Sequence, residues 1–218
     1  MVKENQAKIM LSLQARMNEK VNPQWVEAAY PYLRAVVVEG SEAMEHHGWK
    51  WWKKQECDME QLQMELVDIW HFMLSHILLE NKGNEEASFI QLASLYTDDD
   101  KIQFDSRTYH IKTIGTLEKL ELTIGLASSG RISIPLFAAL LKDCDMDWNE
   151  LFCQYVGKNV LNFFRQDNGY KDGTYQKMWD GKEDNEHLVE AMASLDASHD
   201  DFQHNLYECL KDRYQKIN

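Results

Sequence analysis

Apolar residues recur at intervals of three and four along almost the whole chain, and only three prolines and ten glycines interrupt its 218 residues. A repeat of that length lines one face of an α-helix, whereas a strand needs a repeat of two. The chain is therefore read as all-α, a single domain over residues 1–218 with no convincing strand. A first helix over about residues 3–19 carries Ile9, Leu13 and Met17 at spacing four, Asn22-Pro23 marks a restart, and Pro31 begins a helix that ends near His47 at Gly48. Asp58 with Gln61, and Asp147 with Glu150, have the spacing of capping boxes. They open long helices expected to reach Asn81 and Gln166, with Gly83 and Gly169 as stops. Shorter helices are expected at about 84–96, 117–129 and 132–141, the last delayed by Pro135, and one or two amphipathic helices fill roughly the last 35 residues. The segment TDDDKIQFDSRTYHIKT has weak periodicity and is read as an irregular connection.

Two carboxylate pairs lie inside apolar helical stretches, Glu39/Glu42 in LRAVVVEGSEAM and Glu65/Asp68 in QMELVDIWHFML. Residues three apart lie about 60° apart on a helix, so each pair can aim at one point. Four converging acids among Val, Leu, Met and Trp repel one another and are costly to bury uncompensated. Hard divalent cations relieve both problems, and Mg²⁺ in particular keeps waters and shares itself with substrate phosphates. That makes a metal-dependent phosphate enzyme the hypothesis to test.

Charge narrows the partners. Asp and Glu number 36 against 23 Lys and Arg, a formal net charge of −13, which argues against binding a nucleic-acid backbone. A polyanionic ligand would need a local cluster of cations. One is available: Lys158, Asn162 and Arg165 stand at i, i+4 and i+7 on one helical stripe, followed by Tyr170 and Lys171. A solvated face is the commoner meaning of such a stripe. Between the acid pairs, WKWWKK supplies Trp49, Trp51 and Trp52 for stacking on a base and Lys50 or Lys53 for a phosphate. His71 shares the face of Asp68, Gln14 and Asn18 form a polar pair one turn apart, and His46 and His47 are read as surface residues at a helix end. The four cysteines have no metal-ligand spacing and are read as reduced thiols. MVKENQAKIM has no signal-peptide core and no run approaches a membrane span, so a cytoplasmic protein without membrane or nucleic-acid partners is expected.

The order EGSE, a gap of 22 residues, ELVD, with WKWWK between them and GKNVLNFFRQDNGYKDGTYQKMWDGKEDN near the end, resembles the dimeric, all-α dUTPase family. The acid pairs alone mark only the wider all-α nucleotide pyrophosphohydrolase superfamily, with its MazG-like and phage dCTPase-type members. The WKWWK, KNxxNxxR…GYK and LQARMN elements are more specific, and the resemblance spans roughly residues 9–185. It implies a homodimeric helical bundle with a rigid core and a mobile part that closes on the nucleotide. It implies Mg²⁺ on Glu39, Glu42, Glu65 and Asp68, with Glu39 as base for the attacking water. Lys158, Asn162, Arg165, Tyr170 and Lys171 match phosphate positions, Trp52 and His71 the deoxyuridine pocket, and Gln14 and Asn18 the uracil side. The reaction so implied is dUTP to dUMP and pyrophosphate by attack at the β-phosphorus, with dUDP as a further substrate. Three alternatives stand beside it: a relative preferring dCTP or another non-standard nucleotide, a di-iron carboxylate bundle in which Asp68-x-x-His71 is half a site, and a non-catalytic helical interaction module.

Overall fold

The computed structural model describes residues 2–97, 99–195 and 201–215, and among them ten helices carry the architecture. They are α1 (Glu4–Val21), α2 (Trp25–Ala28), α3 (Tyr32–His47), α4 (Met59–Glu80), α5 (Glu85–Leu95), α6 (Thr116–Ser128), α7 (Ile134–Asp143), α8 (Trp148–Asp167), α9 (Asp184–Ala193) and α10 (Phe202–Gln215). Their starts follow from local chemistry. The side chains of Asp58, Asn84 and Ser133 accept from the backbone N–H three residues on, and Asp147 with Glu150 closes a reciprocal box. The expected helix ends hold to within a few residues, and Gly48, Gly83 and Gly169 all take the left-handed conformation that ends a helix.

α4 is the axis of the bundle. Leu62, Leu66, Ile69, Trp70, Met73 and Ile77 on one face and Met64, Val67, His71 and Leu78 on the opposite one are all buried, so partners are required on both sides. α3, α1, α5 and α8 supply them, and α6 packs on the other side of α3. The ring of Trp70 stacks on Phe137 of α7 at 5.0 Å and meets Trp148 of α8 edge-on. A glycine makes the α3–α6 approach possible: a Cβ on Gly40 would lie 2.8 Å from Cγ1 of Ile124. Alanine there would gain about 1 kcal/mol in helix propensity, but Ile124 is stiff at χ1 and overpacking costs about 1–3 kcal/mol. Gly40→Ala is thus expected to lower the melting temperature by about 2–4 °C; an unchanged or higher value in a thermal scan would contradict this packing.

The expectation of no strand needs correction. β1 (Lys101–Phe104) pairs antiparallel with β2 (Arg107–His110), and β3 (Met178–Trp179) with β4 (Lys182–Glu183). The first hairpin occupies the stretch read as irregular. It turns on Asp105 and Ser106, both at positive φ (47° and 61°), the geometry that matches strand twist but that glycine and asparagine usually supply. Ile102 is buried against Leu122, Leu126 and Leu136, and Phe104 packs closely on Gly125, where an added Cβ would stand 3.0 Å from the ring. The second hairpin turns on Asp180-Gly181 and is held by Trp179, which is buried among Phe164, Tyr175 and Tyr214. No helix among the described residues is long and apolar enough to cross a membrane.

Candidate active site

α3 and α4 lie side by side and turn their acidic faces to the same place. Oxygens of Glu39, Glu42 and Glu65 all lie within 4.8 Å of one another. Burial first, then the charges of Asp68 and Glu42, push the Glu39 carboxyl up to about 7. Burial, then Asp68 and Glu39, push Glu65 up to about 8. A hard cation would relieve the repulsion among such crowded carboxylates, and an all-carboxylate set suits Mg²⁺. Asp68, expected as the fourth ligand, lies at the same cleft in an ion pair. Its Oδ2 accepts from Lys158 Nζ at 2.8 Å, because the lysine is only 3 % exposed and a buried ammonium needs a partner.

α8 supplies the cations. Lys158, Asn162 and Arg165 do face the acids across a cleft, as their spacing predicts. The cleft has two compartments that share the walls Glu39, Asp68, Lys158, Arg165 and Tyr170. One, of about 330 Å³, extends between α1 and α4 and is lined by Gln14, Asn18, His71 and Phe72. The other, of about 710 Å³, holds Glu42, Glu65 and, on the far side, Asn185. His71 is buried, and that burial lowers its pKa to about 4, so the ring is neutral. Its Nδ1 lies 2.7 Å from Gln14 Oε1, so it points into this polar network and is not one of the clustered acids' neighbours, as a di-iron ligand would be.

Several residues fall outside the expectation. Lys50, Lys53 and Trp52 line neither compartment. After Gly48 the chain turns away, Lys50 Nζ and Trp49 Nε1 are both held by Glu45, and the three tryptophans pack edge-on against one another with Trp51 85 % exposed. Lys171 sits by the rim, donating to the carbonyl of Val21 at the C-terminal end of α1. Conversely, His46 is no bystander: it lines the larger compartment with Nε2 3.5 Å from Glu65 Oε1. Its place was legible, since positions 39, 42 and 46 share one helical face.

Tyr175, Asp184 and Asn185 fall within the stretch GKNVLNFFRQDNGYKDGTYQKMWDGKEDN but have no role assigned from the sequence. Asp184 is fully buried, and its two oxygens accept from Arg165 Nε and NH2 at 2.8 Å each, with the Tyr175 hydroxyl donating to the same carboxylate at 2.8 Å. Burial is the strongest single influence and opposes its charge, yet the bonds and field of Arg165 together with Tyr175 outweigh it and hold the carboxyl below its usual range. Asn185 Oδ1 accepts from Lys158 at 3.2 Å. Nothing in helical spacing points from residue 165 to a residue nineteen positions on.

Clustered acids on two helices, cations on a third and a side compartment of mixed apolar and polar walls suit a metal-assisted reaction on a phosphorylated ligand. A family model described as dUTPase matches residues 6–170. The chain belongs to the dUTPase family. No individual curated protein matches it. The dUTPase is thus a dUTP diphosphatase, a hydrolase acting on an acid anhydride, on an all-α scaffold. The matched span includes every acid of the cluster and the whole α8 stripe, whereas Tyr175, Asp184 and Asn185 lie beyond it.

Proposed function

We propose that this dUTPase hydrolyses dUTP to dUMP and pyrophosphate at the acid cluster, with Glu39, Glu42 and Glu65 as the Mg²⁺ ligands and Asp68 joining them once Lys158 turns to phosphate. The observation that carries the reading is that the acid cluster, faced by Lys158 and Arg165, opens onto a mainly acidic compartment that adjoins one of nucleoside size. Mg²⁺ held there supplies charge neutralisation on the phosphates and lowers the pKa of a water. Glu39 takes the proton of the attacking water as general base. Lys158 and Asn162 bind non-bridging oxygens. Arg165 keeps its Nε and NH2 edge on Asp184 and turns NH1, now 3.2 Å from Asn162 Oδ1, to the leaving pyrophosphate. Tyr170, beside the Arg165 guanidinium, forms part of the wall between the two compartments. Asn18 and His71 face the base, and Phe72 gives it an apolar wall. Lys50, Lys53 and Trp52 have no part in the site of their own chain.

A panel of deoxynucleoside triphosphates with Mg²⁺, read by pyrophosphate release, is expected to show dUTP as the preferred substrate and no release in EDTA. Release from dCTP but not from dUTP would overturn the reading. With Mg²⁺ and a non-hydrolysable dUTP analogue at about a hundred times its Kd, binding adds roughly 2.7 kcal/mol. The melting temperature should then rise by roughly 5–10 °C, and the analogue without Mg²⁺ should give far less. The same reading extends to a homodimer in the cytoplasm, which light scattering at micromolar concentration and fractionation would test.

A further inference from the structure

The last turn of α10 grips the segment that joins α8 to α9. Tyr214 is 9 % exposed, and its ring stacks on that of Tyr175 with centroids 5.4 Å apart and planes 19° apart. Its hydroxyl accepts from the backbone N–H of Gln176 at 3.2 Å. Phe164 and Trp179 close on the same ring, with centroids 5.4 and 5.2 Å away. One side chain therefore holds Tyr175 by its ring face and the next residue by its backbone. Offset stacking and edge-on contact are the arrangements that aromatic quadrupoles prefer, so the Tyr175 ring is fixed in its plane as well as covered.

The other end of Tyr175 reaches the buried ion pair. Its hydroxyl donates to Asp184 Oδ2 at 2.8 Å, the oxygen that also accepts from Arg165 Nε, while Oδ1 accepts from Arg165 NH2. A bidentate pair of this kind brings carboxylate and guanidinium into one plane, so whatever turns the carboxylate turns the arginine. Two further partners of Arg165, Asn162 at 3.2 Å and Asn185 at 3.4 Å, line the cleft, where a phosphate competes for the same hydrogens. Asp184 is fully buried and stands behind that competition. Contacts that a bound phosphate does not reach thus run from Tyr214 through Tyr175 and Asp184 to Arg165.

We infer that Tyr214 is a positioning residue for the reaction, acting from the C-terminal helix through Tyr175 and Asp184 to set the plane in which Arg165 presents NH1 to the leaving pyrophosphate. The dUTPase match ends at residue 170, so Tyr175, Asp184 and Tyr214 all belong to the segment beyond it. The geometry gives α10 a task besides covering the core. Without Tyr214 the Tyr175 ring loses the face it rests on, its hydroxyl is free to leave Asp184, and the carboxylate loses a bond that orients it. Loss of a whole transition-state donor costs about 10²–10³-fold in kcat. Loss of its orientation alone costs less, about tenfold. The inference deepens the proposed function and rests on its reading of Arg165 as a ligand of the leaving group.

Kinetics and NMR together test it. Tyr214→Leu, which keeps an apolar side chain but neither ring nor hydroxyl, should lower kcat for dUTP about tenfold. In an Arg165→Ala background the same change should lower it less than about twofold, because the relay then ends on no guanidinium. An equal fall in both backgrounds would mean that Tyr214 acts by packing alone and would overturn the inference. Arginine ¹H–¹⁵Nε spectra of the nucleotide-free protein give a readout without turnover. The Arg165 Nε–H signal, assigned by its loss in Arg165→Ala, should shift and exchange faster with water in Tyr214→Leu; a signal identical to the parent's would also overturn it. Tyr214→Phe keeps the ring and removes only the Gln176 bond, so it should show intermediate effects, about threefold in kcat. If Tyr214→Leu does not fold, Tyr214→Phe decides the matter by the same two readouts. Should the parent cleave no dUTP, the proposed function falls while the Nε–H signal still reports the link from Tyr214 to Arg165; should it cleave dUTP with both readouts indifferent to Tyr214, only the inference falls.

Discussion

Glu39→Gln is expected to lower dUTP turnover by about 10²–10⁴-fold, the range that loss of a positioned general base produces, while leaving the protein in EDTA as stable as the parent or more so. The two halves of this result come from one arrangement. Glu39 stands on α3 with oxygens of Glu42 and Glu65 close by, and its ionised form is disfavoured by burial and by Asp68 and Glu42. A neutral amide of the same shape relieves that repulsion and keeps the packing of α3 on α4. It cannot accept the proton of water, and it gives a hard cation a weaker oxygen. Steady-state kinetics with saturating Mg²⁺, beside thermal melts with and without Mg²⁺, separate the effects. Turnover near that of the parent would remove Glu39 from the role of base. Strong destabilisation in EDTA would mean that the cluster is a structural network and not a site held open for a cation.

Asp184→Ala should have the largest effect on stability, about 3–5 kcal/mol, because it strands a largely buried guanidinium without its partner. Urea denaturation followed by tryptophan fluorescence reports it well, since Trp179 sits in the aromatic cluster with Tyr175, whose hydroxyl loses the same carboxylate. The value of kcat/KM should fall too, as Arg165 loses the two bonds that set its plane. Asp184→Asn, which can still accept one bond, should cost less on both counts. The pH dependence gives an independent check. The folded pKa of Asp184 lies below the ordinary carboxylate value of about 3.9. Its stabilisation is accordingly complete above that value and is lost as pH falls through the lower, folded one. The stability gap between parent and Asp184→Ala should be constant near neutrality and close on acidification below about pH 4. A gap insensitive to acid would mean that Asp184 acts by packing alone.

The elements that were legible are those whose causes are local. A helix is written in side chains three and four apart and in caps a few residues long, so α1, α3, α4 and α8 and the stripe Lys158, Asn162, Arg165 could be read directly. The hairpins could not. In the first, four-residue strands give too short an alternation and the turn is Asp105-Ser106 without glycine; in the second, the Asp180-Gly181 signal stands between strands of only two residues. What holds each of them is remote: Leu122, Leu126 and Leu136 for Ile102, and Phe164 and Tyr214 for Trp179.

The site divides in the same way. Sequence by itself determined that each acid pair converges, because convergence within one helix face depends only on the 3.6-residue turn. Which acids meet was decided by tertiary structure: α8 brings Lys158 to Asp68, so three carboxylates cluster and the fourth is ion-paired. Tertiary structure also removed the WKWWKK loop from the cleft and tied Arg165 to Asp184. A residue type and its spacing state what a side chain can do, whereas its partner is chosen by whichever buried groups the packed helices leave in need of one.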